Sequence, residues 1–354
     1  MVNRLSKLRD KLGESNLDAL LISQSDNRRY LSGFVGSAGF LIISQDRAVL
    51  ATDFRYVEQA QYQAPDCDII RIEGDPATWF PRLVLDIGVL RLGFEARDFS
   101  YAAYGQFARA AGETGKGVSL VPTEGLVESL RMVKEAEELE CLEKAAAMAD
   151  AALEEVLPRI NAGVSEKEVA WALESSLRQS GSESLPFDII VASGPNAALP
   201  HARPGDRVIQ DNEPVVIDFG ARVGGYVSDI TRTVCPGGGD KELHRIYDIV
   251  LGAQLTAIST LEVGMSGEQV DRLARMVISQ AGYGDAFGHG LGHGVGLAAH
   301  EGPRIGPGST DVVAEDMVFT IEPGVYIPGW GGVRIEDTVV LKEGRVQPLT
   351  KSKK

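Results

Sequence analysis

Residues 215–234 have the sequence VVIDFGARVGGYVSDITRTV, in which two aspartates, Asp218 and Asp229, lie on either side of a Gly-Gly turn signal. β-Branched and apolar residues flank that signal, and this pattern predicts a β-hairpin. The midpoint between the two aspartates falls at Val223 and Gly224. Residues equidistant from a hairpin turn face each other across the ladder, with Cβ atoms roughly 4.5–5.5 Å apart. We therefore expect Asp218 to lie opposite Asp229.

A second acidic pair has the same arrangement. Residues 319–340, FTIEPGVYIPGWGGVRIEDTVV, carry Glu322 and Glu336, and their midpoint, Gly329, lies inside a Pro-Gly-Trp-Gly-Gly turn signal. Two carboxylates at this spacing repel each other, and burying them together without a cation is costly. Two such pairs predict a carboxylate-rich site for two metal ions, and therefore an enzyme.

The bulk properties narrow the class of protein. The chain has 354 residues, more than one hydrophobic core usually spans, so we expect two domains. The net charge of −15 argues against nucleic acid as a partner. Neither a signal peptide nor a membrane-spanning apolar run is recognisable, so we expect no membrane partner. Cys67, Cys141 and Cys235 are odd in number and lack paired spacing, which indicates reduced thiols in a cytoplasmic protein.

Periodicity divides the chain into two parts. Residues 1–124 alternate between helical and strand patterns, with a hairpin expected over residues 39–53, and predict an α/β domain. A charge-laced pattern over residues 127–157 predicts one long helix that leads into a second domain, residues 125–354.

The second domain contains an internal repeat. Residues 161–184 match residues 261–285 at an offset of 101. Both segments begin with a capping-box signature, which predicts helices that start after Ser165 and Ser266. A repeated unit of this size predicts a pseudo-symmetric α+β domain whose site lies where the halves meet. The alternative is a chance similarity between two amphipathic helices.

Three of the five histidines lie in residues 287–306, FGHGLGHGVGLAAHEGPRIG: His289, His293 and His300. The glycines between them indicate closely packed backbone rather than a helix. One imidazole together with four carboxylates suits Mn²⁺, Fe²⁺, Co²⁺ or Zn²⁺. Two such ions can hold and acidify a water molecule that attacks an amide carbonyl.

Three strings in this domain carry a family resemblance: His-Gly-Leu-Gly-His at 289–293, Thr-Ile-Glu-Pro-Gly at 320–324 and Arg-Ile-Glu-Asp at 334–337. They resemble the signatures of the pita-bread metallopeptidases, which include methionine aminopeptidase, aminopeptidase P and prolidase. Residues 25–56 are similar to the creatinase-type domain of the proline-directed members. The resemblance covers essentially the whole chain. It implies an α/β creatinase-like N-terminal domain and an α+β pseudo-symmetric pita-bread catalytic domain.

The resemblance also implies how the ligands are shared. In the family, the aspartate at the position of Asp218 chelates one metal ion, and the residues at His293 and Glu322 serve the other. The residues at Asp229 and Glu336 bridge both ions. All five are present here. They imply two divalent ions per chain, with manganese as the first candidate and cobalt, zinc or iron as alternatives.

Catalytic roles carry over at three positions. His201 stands 17 residues before Asp218, and His300 stands seven after His293, where proline-directed members keep histidines. An imidazole beside two metal ions can stabilise a developing oxyanion. Glu322 corresponds to the carboxylate that carries the proton between the attacking water and the leaving nitrogen.

Substrate-binding roles carry over at four more positions. Arg304 matches an arginine that prolidase-like members use near the substrate carboxylate. Arg334, two residues before a ligand, fits a role in orienting ligands. His289 is expected to help form the pocket for the proline ring, and Tyr326 to hydrogen-bond near the metal ions.

The implied function is hydrolysis of Xaa-Pro dipeptides, as in prolidase. Two alternatives remain: an aminopeptidase P that accepts longer Xaa-Pro peptides, and a non-catalytic pita-bread binding module. The implied partners are a proline-containing di- or oligopeptide and a second copy of the chain. In the family the N-terminal domain mediates dimerisation and helps to cap the neighbour's site, to which residues 35–40 are expected to contribute.

Overall fold

The computed structural model describes residues 2–354, with side chains from Asn3 onward. The chain divides into two compact units, one ending at Arg131 and one running from Met132 to Lys354. The first unit extends past residue 124, the end of the first domain expected from the sequence, because the short helix Glu128–Arg131 belongs to it. The side-chain amide of Asn27 donates to Glu128 and accepts from Arg131. No helix in the described part of the chain has the length and apolar character needed to cross a membrane.

The first unit is an α/β layer structure. Its elements are α1 (Val2–Glu14), β1 (Ala19–Ile22), α2 (Ser25–Ser32), β2 (Phe40–Ser44), β3 (Ala48–Thr52), α3 (Val57–Gln63), β4 (Asp68–Arg71), α4 (Phe80–Ile87), β5 (Arg91–Glu95), α5 (Tyr101–Glu113), β6 (Ser119–Thr123) and α6 (Glu128–Arg131). The six strands form one sheet in the order β4-β3-β2-β1-β5-β6. β2 and β3 form the antiparallel hairpin that the sequence predicts.

The second unit carries two larger sheets and four longer helices. Its elements are α7 (Ala136–Val156), α8 (Glu166–Gln179), β7 (Ile190–Ser193), β8 (Val215–Phe219), β9 (Arg222–Val223), β10 (Tyr226–Val227), β11 (Ile230–Val234), α9 (Lys241–Thr260), α10 (Gly267–Gln280), β12 (Gly292–Gly294), β13 (Glu301–Ile305), β14 (Val318–Ile321), β15 (Gly324–Ile327), β16 (Gly331–Arg334), β17 (Asp337–Lys342) and β18 (Arg345–Pro348). One sheet has the order β11-β8-β7 and the other β13-β12-β14-β17-β18. α7 and α8 pack on the first sheet, and α9 and α10 on the second.

The predicted repeat is confirmed. A shift of 101 residues carries the bounds of α8 onto those of α10, and both helices begin with a complete capping box. The residue before each helix also forms the same tertiary contact, since Ser165 bridges to Val208 and Ser266 bridges to Val312. A chance similarity would not reproduce this matching pairing, so the domain is pseudo-symmetric.

The prediction of one long helix over residues 127–157 is wrong. The chain leaves helical conformation after Arg131 and resumes it at Ala136. Between them, Val133 bridges to Met317, and the Lys134 ammonium forms a buried ion pair with Glu301 at 2.9 Å. Helical propensity is a weak local preference, and these tertiary contacts override it.

The predicted pairing of Asp218 with Asp229 is also wrong. Asp218 lies opposite Thr231, because the turn is centred between Gly224 and Gly225 rather than one residue earlier. Both glycines have positive φ, as a two-residue hairpin turn of this hand requires. A one-residue shift of the turn moves the pairing by two residues. Since side chains alternate with period two, Asp229 is still on the face of Asp218, as its diagonal neighbour.

The second hairpin has the predicted register. Ile321 pairs with Asp337 and Gly324 pairs with Arg334, so Glu322 and Glu336 occupy matching positions in the gap between these two pairs. The ladder opens at that gap, and the backbone N–H of Glu336 donates to the carbonyl of Thr231 instead. This bond from Glu336 to Thr231 joins the two halves of the domain, and both glutamates line the same pocket.

Candidate metal and catalytic site

Asp229, His293 and Glu336 form the centre of the site. Each offers one ligand atom, and these atoms lie within 4.8 Å of one another. Glu322 Oε1 lies 3.3 Å from His293 Nε2, and Asp229 Oδ2 lies 3.8 Å from the same nitrogen. The residues come from both halves of the repeat, so the site lies where the sequence places it.

Asp218 completes the acidic group and is held by Arg334. The guanidinium donates to Asp218 Oδ2 at 2.5 Å, and the Arg334 side chain is buried whereas 14 % of the Asp218 side chain is open. Asp218 Oδ1 is also buried and has no hydrogen-bond partner among residues 2–354. A buried carboxylate oxygen without a partner is costly unless a cation or water binds it.

The charges of the site call for cations. Among the described residues that line the pocket, the four carboxylates of Asp218, Asp229, Glu322 and Glu336 have one buried guanidinium beside them, that of Arg334, which leaves three negative charges uncompensated when all four are ionised. Burial, reinforced by Glu336, raises the pKa of Asp229 well above its ordinary value. Burial, reinforced by Glu322, does the same to the pKa of Glu336. Oxygen donors, one imidazole and missing positive charge fit divalent metal ions.

Three threonines orient the candidate ligands, and none of them belongs to the site residues predicted from the sequence motifs. Thr231 donates to Glu336 Oε2 at 2.6 Å, and Thr320 donates to Glu322 Oε1 at 3.1 Å. Thr338 accepts from the backbone N–H of Asp229. Thr231 follows Asp229 by two positions, Thr320 precedes Glu322 by two, and Thr338 follows Glu336 by two. Residues two positions apart in a strand lie on the same face, so this spacing was the signal in the sequence that pointed to the threonines.

The glycine-rich segment brings backbone close to the ligands. A Cβ on Gly292 would lie 2.0 Å from the carbonyl oxygen of Thr320, and one on Gly294 would lie 1.9 Å from that of Gly302. Only glycine permits these approaches, so the expectation of closely packed backbone is confirmed. The approach puts His293 in β12 directly beside the strand that leads to Glu322.

Two histidines of the site, His293 and His300, have lowered pKa values. Burial lowers the pKa of His293, which leaves the imidazole in its metal-binding form. Burial, then the neighbouring ring of His293, lowers the pKa of His300 to about 4. The two rings lie against each other with centroids 4.0 Å apart and planes tilted by 35°. His201, on the loop after Pro200, lines the same pocket as His300.

A hydrogen-bonded group joins three of the predicted substrate-binding residues. The Tyr326 hydroxyl lies 2.9 Å from His289 Nε2 and accepts from the Arg334 guanidinium at 3.0 Å. Arg334 also donates to Thr231 and to the carbonyl of Pro200. This guanidinium thus connects one ligand, Asp218, to the wall that carries His289.

One pocket of about 580 Å³ is lined by the four carboxylates, by His201, His289, His293 and His300, and by Tyr326 and Arg334. Its floor is the acidic group, and its walls include the apolar residues Phe187, Ile190 and Ile305. Arg304 lies at the pocket with an exposed side chain that forms no ion pair with any described residue. It pairs across the ladder with His293. The pocket therefore combines a site for cations, an apolar wall and a free guanidinium.

Comparison with known proteins agrees with this arrangement. Residues 140–343 match the family described as "Metallopeptidase family M24", and residues 4–133 match the family described as "Creatinase/Prolidase N-terminal domain". The chain is similar to an Xaa-Pro dipeptidase from Bacillus anthracis, with a TM-score of 0.96 and 42 % identity over 100 % of this chain and 98 % of that one. An X-Pro aminopeptidase from Thermotoga maritima gives a TM-score of 0.88 at 37 % identity, with 96 % of each chain covered.

A further relative is the Xaa-Pro dipeptidase of Pyrococcus furiosus, 38 % identical over 100 % of this chain and 99 % of that protein. The fold expected from the sequence, a creatinase-type domain followed by a pita-bread domain, is confirmed. The chain therefore belongs to metallopeptidase family M24, carries a creatinase/prolidase N-terminal domain and uses divalent metal as its cofactor.

Proposed function

We propose that the chain is a dipeptidase that hydrolyses the bond between an N-terminal residue and a following proline. The observation that carries this proposal is the cross-strand pairing of Arg304 with His293. Paired residues in a ladder have Cβ atoms roughly 4.5–5.5 Å apart on one face. A guanidinium so close to the reacting centre suits a free carboxylate one residue beyond the scissile bond. The relatives named Xaa-Pro dipeptidase support the same substrate class.

Two metal ions are assigned to five ligands in this proposal: Asp218, Asp229, His293, Glu322 and Glu336. Asp229 and Glu336, the carboxylates that the family resemblance assigns to both ions, would help to hold them. When bound, the ions polarise the scissile carbonyl as Lewis acids and lower the pKa of the attacking water. A donor set of four carboxylates and one imidazole suits manganese first, and also accepts cobalt, zinc or iron.

The side chains of the pocket have separate roles in the reaction: one transfers a proton, and two stabilise the developing negative charge. Glu322 accepts the proton of the attacking water and delivers it to the proline nitrogen as the C–N bond breaks. His201 and His300 donate hydrogen bonds to the carbonyl oxygen as negative charge develops on it. Since the low pKa keeps His300 neutral, its N–H can donate without competing for the transferred proton.

The remaining side chains bind and orient. His289 and Tyr326, linked by their hydrogen bond, form the side of the pocket that receives the proline ring. Arg304 binds the carboxylate of the substrate. Arg334 orients Asp218 and provides the buried positive charge that opposes the four acids.

The proposal is tested by comparing Ala-Pro with Ala-Pro-Pro. We expect the manganese-loaded protein to cleave Ala-Pro at least about tenfold more efficiently than the tripeptide, because an unpaired interaction with a charged group costs about 1.5–3 kcal/mol. Arg304→Met should raise KM for Ala-Pro by about tenfold or more and leave kcat within about twofold. Steady-state kinetics on both peptides provide the measurement.

Arg203→Met is the matched control. Arg203 also lines the pocket with an exposed side chain, but its guanidinium lies 3.8 Å from Asp188. Equal efficiency on both peptides, with Arg304→Met unchanged, would favour the longer substrates of an aminopeptidase P. Less than one metal ion per chain after manganese or cobalt loading would favour a non-catalytic binding module.

The proposal also includes a cytoplasmic homodimer. No disulfide joins the three cysteines in the described part of the chain, which suits a reducing compartment. In the first unit Val35, Phe54 and Tyr62 have large exposed fractions of 47 %, 67 % and 88 %, and we assign this apolar surface to the contact with a second chain. Sedimentation should give twice the 38.0 kDa of one chain, and a fully active monomer would contradict the dimer.

A further inference from the structure

An ion pair on α10, outside the pocket, holds the backbone of a segment that leads into the pocket. Arg275 and Asp271 lie one turn apart on α10 and join by two bonds, of 2.6 Å from Nε and 2.8 Å from a terminal nitrogen. Most pairs at this spacing are exposed and contribute little. Here the Asp271 side chain is only 2 % exposed, and the pair faces the protein.

The pair binds three backbone groups of residues 287–291. The Arg275 guanidinium donates to the carbonyl of Phe287 at 2.8 Å and to that of His289 at 2.6 Å. Asp271 Oδ1 accepts from the backbone N–H of Leu291 at 3.0 Å. The segment belongs to no helix or strand, so no ladder supplies these bonds. Without the pair, all three groups would lack a partner among the described residues, close to a buried site.

The held segment connects to the catalytic residues on both sides. The carbonyl of Leu291 accepts from the backbone N–H of Glu322 at 2.8 Å. The side chain of His289 meets Tyr326 in the pocket wall. Thus the backbone of Leu291 bonds Asp271 through its N–H and Glu322 through its carbonyl.

The planar guanidinium suits this task in a way that an ammonium does not. Arg275 uses one edge for Asp271 and its remaining N–H groups for two carbonyls, and its central carbon lies 4.2 Å from the centre of the Phe287 ring. Lysine has the charge but not the fixed fork or the flat face. A lysine here would keep the ion pair and lose the backbone bonds.

We propose that Asp271 and Arg275 are positioning residues for His289 and Glu322. Neither side chain lines the pocket. They act through the backbone of residues 287–291, and a displacement of about 1 Å in a reacting group can cost on the order of 100-fold in rate. Their kinetic effect rests on the proposed peptidase function, whereas their effect on the segment does not.

Hydrogen exchange tests the segment without any substrate. We expect Arg275→Met and Arg275→Lys to speed amide exchange in residues 287–291 by about tenfold or more, because local opening loses its retaining bonds. Arg272→Met is the matched control on the same helix: Arg272 forms an exposed pair with Glu268 at 2.8 Å and does not touch the segment. Unchanged exchange in both Arg275 variants would overturn the proposal, whatever the substrate of the enzyme.

Kinetics separate positioning from general support. In Arg275→Lys, which retains the charge opposite Asp271, we expect kcat/KM for Ala-Pro to fall about 10–100-fold with metal content and melting temperature close to wild type. A kcat/KM equal to that of the wild type in Arg275→Lys would contradict the positioning role and would mean that the ion pair only stabilises the helix. If the wild-type protein cleaves no Xaa-Pro dipeptide, the proposed function fails, and the exchange rates still decide whether the pair holds the segment.

Discussion

Glu322→Gln is expected to lower kcat for Ala-Pro by about 10³-fold, with KM changed by no more than a few-fold. General acid–base catalysis contributes about 10²–10⁴-fold, and a carboxamide cannot accept the proton. Glu322 is the acid placed to do this work, since 17 % of its side chain is open, against 7 % for Asp229. Asp218, which is similarly open, is already paired with Arg334.

Steady-state kinetics, run together with metal analysis, measure this effect. The variant keeps the size of the side chain and one oxygen ligand, so bound metal should be retained in sufficient amount to separate proton transfer from metal loss. Glu262→Gln, on an exposed turn, controls for the chemical change itself. Wild-type turnover by a metal-loaded Glu322→Gln protein would exclude the proposed proton carrier.

His300→Ala is expected to lower kcat by about 10²-fold, because loss of one donor to a developing oxyanion has an effect of about 10²–10³-fold. The pKa of about 4 makes His300 neutral across the working range, so the loss should be constant from pH 6 to pH 9. A histidine that acted as a cationic acid would instead give a loss that vanishes as pH rises.

The pH profile of kcat in the variant and in the wild type is the measurement. His244→Ala is the matched control, since His244 is an exposed histidine on α9. His201→Ala should produce a similar loss, and the double variant should fall short of the product of the two because both act on one oxygen. Unchanged kcat in His300→Ala would remove that residue from the catalytic group.

Local patterns were read correctly from the sequence because each is fixed by short-range chemistry. The two capping boxes define where α8 and α10 begin. The turn signal around Gly329 places Glu322 and Glu336 in matching positions on their strands. The same type of reasoning put the turn between Asp218 and Asp229 one residue too early, and their pairing two residues off, since either of two adjacent dipeptides could have formed the turn.

Contacts between distant residues were not available to that reasoning. The break after Arg131 depends on Val133 meeting Met317, and the orientation of Glu336 depends on Thr231, 105 positions earlier. The retention of residues 287–291 by Asp271 and Arg275 could not be recognised either, because pairs at that spacing are usually exposed.

The chain thus carries the ligand types, their faces and the helix starts in its local order, because strand alternation and capping act over a few residues. Tertiary structure alone decides which oxygens meet. It brings Asp229 and Glu336, from opposite halves of the repeat, to within ligand distance of His293. It also leaves Asp218 Oδ1 buried without a hydrogen-bond partner in the described part of the chain. Both outcomes depend on how two sheets pack, and packing joins residues that no short window of sequence contains.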